Sequence, residues 1–132
     1  MIEQGLVMLV QASSAVQAIA PGSGFFAEAP KDHALPLWTY ISASEVQPYT
    51  LDGLHGFINR RIQINCDGAI AADCILLAKA IDDVLSGYSG VLPDPDQTAV
   101  HGCFRTNVVD FFDDPGRTSR RILEYETWFT QT

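Results

Sequence analysis

Apolar residues near the N-terminus recur at steps of three and four, which is the spacing of one face of an α-helix. They are Ile2, Leu6, Leu9, Val10, Val16 and Ile19. The sequence Pro21-Gly22-Ser23-Gly24 follows. Because proline cannot continue a helix and glycine frees the backbone, we predict one helix that ends near residue 20.

Strand patterns dominate the next part of the chain. Leu35–Ser44 is rich in β-branched and aromatic residues, which is typical of a strand with two covered faces, and a short strand is predicted at Phe25–Ala29. Phe57–Cys66 alternates apolar and polar side chains, with only Arg60 out of step, as a half-buried strand does. Its apolar positions are Ile58, Ile62, Ile64 and Cys66. Gln47–Gly56, between the two long strands, is predicted to be a turn-rich loop.

A second helix is predicted directly after Phe57–Cys66. Asp67 is placed to cap it, and Gly87 is placed to end it. Its predicted buried stripe consists of Ile70, Cys74, Leu77, Ala78, Ile81 and Leu85.

The last third of the chain predicts two more strands. They are expected at Thr98–Val108 and Arg120–Thr130, separated by the acidic, turn-prone segment Asp110–Ser119. Strands grouped around one central helix predict an α+β fold: a single domain over residues 1–132, with a mostly antiparallel sheet packed against an N-terminal and a central helix.

Charge narrows the possible partners. Sixteen acidic and eight basic residues give a net charge of −8, which disfavours general attraction to nucleic acid or anionic membranes. The arginines occur in two clusters, Arg60-Arg61 and Arg117 to Arg121, which suit specific contacts with carboxylates. Three cysteines without CxxC spacing predict free buried thiols. No stretch is long and apolar enough to span a membrane, and the chain is expected to be made in the cytosol.

The motifs of catalysis are weak or missing. Gly22-Ser23-Gly24 lacks the context of a dinucleotide-binding loop, and no serine has the spacing of a nucleophile elbow. The histidines His33, His55 and His101 lie in separate segments, and a chance metal site that combines them with Cys103 or nearby aspartates is an alternative. We therefore predict no catalytic residue, no cofactor and no metal.

Two aromatic features suggest contact with other proteins. Phe111 and Phe112 stand among aspartates, where they either cover their own core or dock into a partner. Tyr49 and Leu51 lie in the long loop between two predicted strands.

Several segments together resemble one known family. They are IEQGLVMLVQASSAVQAIAPG, LPLWTYISAS, LDGLHGFINRRIQINC, AADCILLAKAIDDVLSGYSG and RRILEYETWF. In this order they are similar to the tail-completion or tail-terminator proteins of long-tailed bacteriophages, prophages and gene transfer agents. The resemblance covers nearly the whole chain and depends on pattern and order rather than on a catalytic signature. Asp94–Ser119 is the part with no clear counterpart.

The resemblance implies a structural subunit of the virion, made in the host bacterial cytoplasm. Such proteins form rings, commonly hexamers, that cap the head-proximal end of the tail tube, end its polymerisation and join it to the head–neck. The implied partners are further copies of the chain, the major tail tube protein and a head–neck connector or stopper protein, and DNA passes through the lumen without specific binding. A ring of head-to-tail contacts needs two complementary patches on each subunit. The candidate interface residues are Tyr49, Leu51, Arg60, Arg61, Phe111, Phe112, Arg117 and Arg120.

Other readings stay open at this point. Another neck or tail component, such as an adaptor, a stopper or a tube subunit, shares the same structural class. A small ligand-binding or enzymatic α+β domain is a further alternative, in which His101 or Asp110 would be needed for turnover. A regulatory or toxin–antitoxin module is the third, and the acidic charge argues against direct DNA reading by it.

Overall fold

Two long antiparallel hairpins make up most of one sheet in this computed structural model, which describes residues 2–26, 34–46, 49–50, 53–54, 57–93, 97–113 and 118–130. The helices are α1 (Ile2–Gln11), α2 (Ser14–Ile19) and α3 (Ala71–Leu85). The strands are β1 (Phe25–Phe26), β2 (Leu37–Val46), β3 (Tyr49–Thr50), β4 (Gly53–Leu54), β5 (Phe57–Gly68), β6 (Gly90–Val91), β7 (Ala99–Asp113) and β8 (Thr118–Thr130). The predicted α+β fold, with a mostly antiparallel sheet against an N-terminal and a central helix, is confirmed.

The main sheet has the strand order β1-β2-β5-β8-β7-β6. β2, β5, β8 and β7 pair antiparallel in that order, while the short β1 joins β2 in parallel and the short β6 joins β7 antiparallel. β3 and β4 form a separate two-stranded sheet between β2 and β5 in the chain. The longest strands therefore lie side by side in the middle of the molecule.

One face of the sheet carries the core. The alternation predicted for β5 is confirmed, because Ile58, Ile62, Ile64 and Cys66 are all buried. Their cross-strand partners on β8 include Leu123, Tyr125 and Phe129, which are also buried. α1, α2 and α3 cover this face with Leu6, Val10, Val16, Leu77, Ile81 and Leu85. Burial of these side chains, at about 25 cal/mol per Å² of apolar surface, is the main stabilising contribution to the fold.

The opposite face of the sheet is polar in its centre. Asn59, Arg61 and Gln63 on β5 alternate with the buried positions, and Glu124 and Glu126 lie beside them on β8. Asn59 donates a hydrogen bond of 2.8 Å from its side-chain amide to Glu126 Oε1. These side chains are half-buried to exposed, and none of the three helices lies over them.

The prediction of a single N-terminal helix is wrong in one respect, because the structure has two helices there, α1 and α2. Ser13 adopts an extended conformation at the break, and its hydroxyl accepts a hydrogen bond of 3.5 Å from the backbone N–H of Val16. Serine favours this N-cap position because its side chain satisfies a backbone donor at the helix start. The apolar spacing does not reveal the break, because Val10 before it and Val16 after it are both buried on the same side.

The predicted start of the second helix is also wrong. Asp67 does not cap α3, because β5 continues through it to Gly68 and its carboxylate binds Arg120. The helix begins at Ala71 after Ile70, which makes no side-chain capping bond and is 59% exposed rather than part of the buried stripe. The remaining predicted stripe positions are buried, and Gly87 follows the helix with a φ of +76°, as expected for a residue after a helix end.

Strand boundaries differ most around the loops. The acidic segment that was predicted as a turn belongs to β7 as far as Asp113, and β8 begins at Thr118. The strand predicted at Phe25–Ala29 is observed at Phe25–Phe26, and residues 27–29 lie outside the described residues. Gln47–Gly56 is not wholly a loop, since it contains β3 and β4.

A polar contact ties α3 to the core of the sheet. Tyr125 is buried, and its hydroxyl donates a hydrogen bond of 2.8 Å to Asp82 Oδ1. Arg105 of β7 donates to the other oxygen of Asp82 at 3.1 Å. Burial and the bond to Asp82 raise the pKa of Tyr125, so the phenol stays neutral and acts as the donor. Asp82 thus joins the helix to two adjacent strands.

Tyr125→Phe is expected to lower the free energy of unfolding by about 1–2 kcal/mol, because it removes a buried hydrogen bond to a charged group. Denaturant unfolding monitored by circular dichroism measures the change. Tyr88→Phe is the matched control, since the Tyr88 hydroxyl donates to the carbonyl of Val91 at 3.3 Å in an exposed place and is expected to contribute less than about 0.5 kcal/mol. Equal effects of the two substitutions would contradict the role assigned to Asp82.

Candidate interaction surfaces

Those candidate residues that the structure describes fall at two opposite ends of the sheet. We call one the β3/β4 end, where Asn59 of β5 lies opposite Trp128 of β8. We call the other the β7/β8 turn end, where Gly68 of β5 lies opposite Ser119 of β8. The β2–β5 hairpin turns at the first end and the β7–β8 hairpin turns at the second, so the two connections point in opposite directions along the strands.

Tyr49, Arg60 and Arg61 belong to the β3/β4 end. Tyr49 lies in β3, opposite Leu54 of β4. The guanidinium of Arg60 lies over the Phe129 ring, 5.7 Å from its centroid, on the face that carries the core. Arg61 is exposed on the opposite, polar face. The two arginines therefore do not form one patch, because successive residues of a strand point to opposite faces. Leu51 lies outside the described residues.

Phe111, Phe112 and Arg120 belong to the β7/β8 turn end. Phe111 lies opposite Arg120 in the register of β7 and β8, and Phe112 lies opposite Ser119. The Phe111 side chain is 56% exposed, so it does not cover the core of its own subunit. Arg117 lies outside the described residues.

Two ion pairs hold the β7/β8 turn end together, one on each face. Arg120 donates to both oxygens of Asp67 at 2.6 and 3.0 Å, and Arg121 donates to both oxygens of Asp110 at 2.7 and 3.1 Å. Each pair joins residues that are direct cross-strand neighbours. The hydrogen bonds from Arg121 hold the pKa of Asp110 below its usual range, and the bonds to Asp67 raise the pKa of Arg120. Arg120 is thus a positioned guanidinium, still about half exposed on its side chain.

Sequence reasoning missed three features near these surfaces. Asp67 and Asp110 are the carboxylates that bind Arg120 and Arg121. The sequence does not indicate these pairs, because they depend on the strand register. Phe104 is 53% exposed, and its ring lies against the backbone at Gly102, where a Cβ would come within 2.6 Å of it. A Phe two residues after a Gly in a strand is the only sequence signal for this packing.

The described residues offer little for catalysis. The thiols of Cys66, Cys74 and Cys103 are free and buried, as predicted. Burial raises the pKa of each thiol, that of Cys103 to about 12, so none is a thiolate nucleophile near neutral pH. Within the described ranges no three His, Cys, Asp or Glu side chains are placed to hold a metal ion. His101, from the alternative metal site, is exposed and lies 2.6 Å from the Thr130 hydroxyl, while His33 and His55 lie outside those ranges.

No helix in the described part of the chain is long and apolar enough to cross a membrane. An apolar cavity lies between α1 and the sheet and is lined by core side chains such as Val10 and Ile62. It is a packing gap of the core, and the surfaces at the two ends of the sheet are the better candidates for function.

The Asp110–Arg121 pair gives a pH dependence that can be measured. A double-mutant cycle of Asp110→Asn and Arg121→Gln is expected to give a coupling energy of about 0.2–1 kcal/mol at neutral pH. Because the pKa of Asp110 is lowered in the folded protein, this stabilisation is present above the ordinary aspartate pKa and is lost as the pH falls through the lowered value. Urea unfolding at a series of pH values measures it, and a coupling energy that does not fall in acid would contradict the pairing.

Comparison with known proteins identifies the fold and the family. One chain in the solved virion of a native gene transfer agent (GTA) particle has a TM-score of 0.77 with this chain at 16% sequence identity. The match covers 98% of this chain and 94% of that chain, so the two share one fold over nearly all of their length. A search of curated proteins by sequence returns no significant match. The family model described as Tail completion protein gp17 matches residues 4–130. The resemblance that the sequence suggested is therefore confirmed, and the chain belongs to the family of tail completion protein gp17.

Proposed function

We propose that this protein is a tail terminator, whose copies form a ring on the head-proximal end of a phage tail tube. Membership of a tail completion family is the observation that carries the proposal, and it makes the chain a structural protein of the virion. The ring stops the tube from growing and offers the surface on which the head–neck docks. A hexamer is the expected number of copies, and a closed ring needs one contact repeated between all neighbours.

The two ends of the sheet suit a subunit that lies between two different partners along the tail axis. Tyr49 and Phe111 lie near hairpin turns that point in opposite directions. In this arrangement one end contacts the major tail tube protein, and the other contacts a head–neck connector or stopper protein. Large exposed aromatic side chains such as Phe111 anchor protein interfaces because they bury much apolar area at little entropic cost.

The polar face of the sheet suits the wall of a water-filled channel. Its described centre carries amides and carboxylates, and its cations Arg61 and Arg120 are balanced by Glu124, Glu126 and Asp67. The whole chain has a net charge of −8. Such a surface offers DNA phosphates no dense cluster of cations, so DNA passes through the lumen without specific binding.

Native mass spectrometry and a capping assay test the proposal together. The purified chain is expected to give a closed oligomer, with six times the 14.4 kDa of one chain for a hexamer. Added to growing tubes of the tail tube protein, it is expected to bind one tube end and stop elongation, as negative-stain images would show. A chain that stays monomeric and leaves tube growth unchanged would overturn the proposal. Rings that add tube subunits at both faces would indicate a tube component instead.

Phe111→Ser tests the aromatic anchor at the β7/β8 turn end. The variant is expected to keep its circular dichroism spectrum and its ring mass, but to bind one axial partner, the tube or the neck protein, at least roughly tenfold more weakly. Leu76→Ser is the matched control, since Leu76 is also 56% exposed but belongs to α3 and not to the β7–β8 hairpin. Equal affinities of the two variants for both partners would remove Phe111 from the interface.

A further inference from the structure

The main sheet has an open edge on each side. On one side, β6 pairs with β7 only at Ala99 and Val100, and the Gly87 N–H donates a hydrogen bond of 2.7 Å to the Cys103 carbonyl. No described strand pairs with the outer edge of Phe104–Asp113. On the other side, β1 pairs with β2 only at Thr39 and Tyr40, which leaves the outer edge of Ile41–Val46 open among the described residues. An open edge presents backbone N–H and C=O groups that another strand can bind.

The two open edges lie at the same level along the strands. The registers connect Ile41 of β2 through Gln63 and Glu124 to Asn107 of β7. They also connect Ser44 through Arg61 and Glu126 to Phe104. Residues 41–44 of the open β2 edge are therefore level with residues 104–107 of the open β7 edge, on the far side of the same sheet.

The strand directions make these edges complementary. Four long strands, β2, β5, β8 and β7, alternate in direction, so β7 runs antiparallel to β2 of the same chain. A neighbour that is related by rotation about a ring axis keeps its strands pointing the same way along that axis. The β2 strand of this neighbour therefore runs antiparallel to β7 of the first copy. The two edges can pair without turning either subunit upside down.

The β7 edge is long, and part of its surface is apolar. It contains neither lysine nor proline, and it exposes Phe104 and Val108, the latter by 36%. Both edges carry a register shift at the shared level, at Ser42/Ser44 on β2 and at Arg105/Asn107 on β7. Such bulges increase the local twist and bend of a sheet, as the curvature of a closed ring requires.

We infer that neighbouring copies of this chain join edge to edge, the open β7 edge of one copy pairing antiparallel with the open β2 edge of the next. The inference rests on the proposed ring and names the contact that closes it. The sheets of all copies then form one continuous wall, with the polar faces on the same side. Because the contact uses two different edges, it is head-to-tail, and it leaves no edge of either kind open in a closed ring.

Cysteine cross-linking tests this contact on the full-length chain. Ser42 and Thr106 are exposed, one on each edge, and serine or threonine to cysteine is a small change. The three native thiols are buried, so they react slowly with a short bismaleimide in the folded protein. A mixture of Ser42→Cys and Thr106→Cys chains is expected to shift from monomer to covalent dimer on a denaturing gel. Each variant alone is expected to stay monomeric, and the double variant is expected to give a ladder that stops at the number of copies in the ring.

Leu76→Cys on the outer surface of α3 is the control. Paired with either edge variant, it is expected to give no dimer, because Leu76 lies on the helix that covers one face of the sheet and belongs to neither edge strand. Circular dichroism checks that every variant is folded, and native mass spectrometry of the same samples gives the oligomer.

Three other results of the cross-linking experiment would overturn the edge contact, and each has a different meaning. Dimers from Thr106→Cys alone would mean that two β7 edges pair with each other. A ring by native mass spectrometry without dimers in the mixture would mean that the ring closes through another surface, and the proposed function would stand. Monomers by mass spectrometry and no cross-link in any sample would overturn both the edge contact and the ring.

Discussion

Burial on a single face of the sheet is the constraint on which the rest of the structure depends. Three helices, none longer than the span of Ala71–Leu85, cover the central strands on one side. The helices lie on the side of Ile62, Ile64 and Tyr125. The other side must therefore remain compatible with water or with a partner, and its amides and carboxylates are compatible with water. The strict alternation along β5 and β8 fixes which residues lie on each side, because a slip of one residue would exchange the faces.

Polar contacts fix the position of α3 and the register of the strands, which apolar packing alone does not determine. Asp82 links α3 to β7 and β8 through Arg105 and Tyr125, so the central helix cannot slide along the sheet without losing both bonds. At the β7/β8 turn end, the pairs Asp67–Arg120 and Asp110–Arg121 fix the register of three strands on both faces. Exposed ion pairs contribute little to stability, but bidentate geometry makes them specific, and this end carries Phe111. A firmly held hairpin end is what an aromatic side chain needs in order to dock at a defined angle.

The sequence predicted the parts of the fold that depend on local periodicity. The alternation of Phe57–Cys66 and the spacing of Cys74, Leu77, Ile81 and Leu85 identified the central strand and helix correctly. It could not show that Asp67 binds Arg120, because both a helix cap and a cross-strand carboxylate suit an aspartate at that place, and the choice depends on a residue more than fifty positions away. Nor could it show that the acidic residues around Phe111 continue a strand, since pairing with β8 overrides their weak strand propensity.

The candidate interface was predicted only in outline. Neighbouring arginines such as Arg60 and Arg61 suggested one charged patch, and strand geometry separates them onto two faces. The open edges of β2 and β7 have no sequence signature at all, because an edge is defined by the strand that is missing beside it. Only the strand order and the registers show these edges, and the proposed contact between subunits is argued from them.

A cryo-EM map of the head-proximal end of a tail that contains this protein tests the central claim most directly. The expected map shows a closed ring of copies between tube and neck, with the face of Glu124 and Glu126 toward the channel and the two hairpin ends toward opposite partners. A map without the chain at that end of the tube, or with the helices toward the channel, would contradict it.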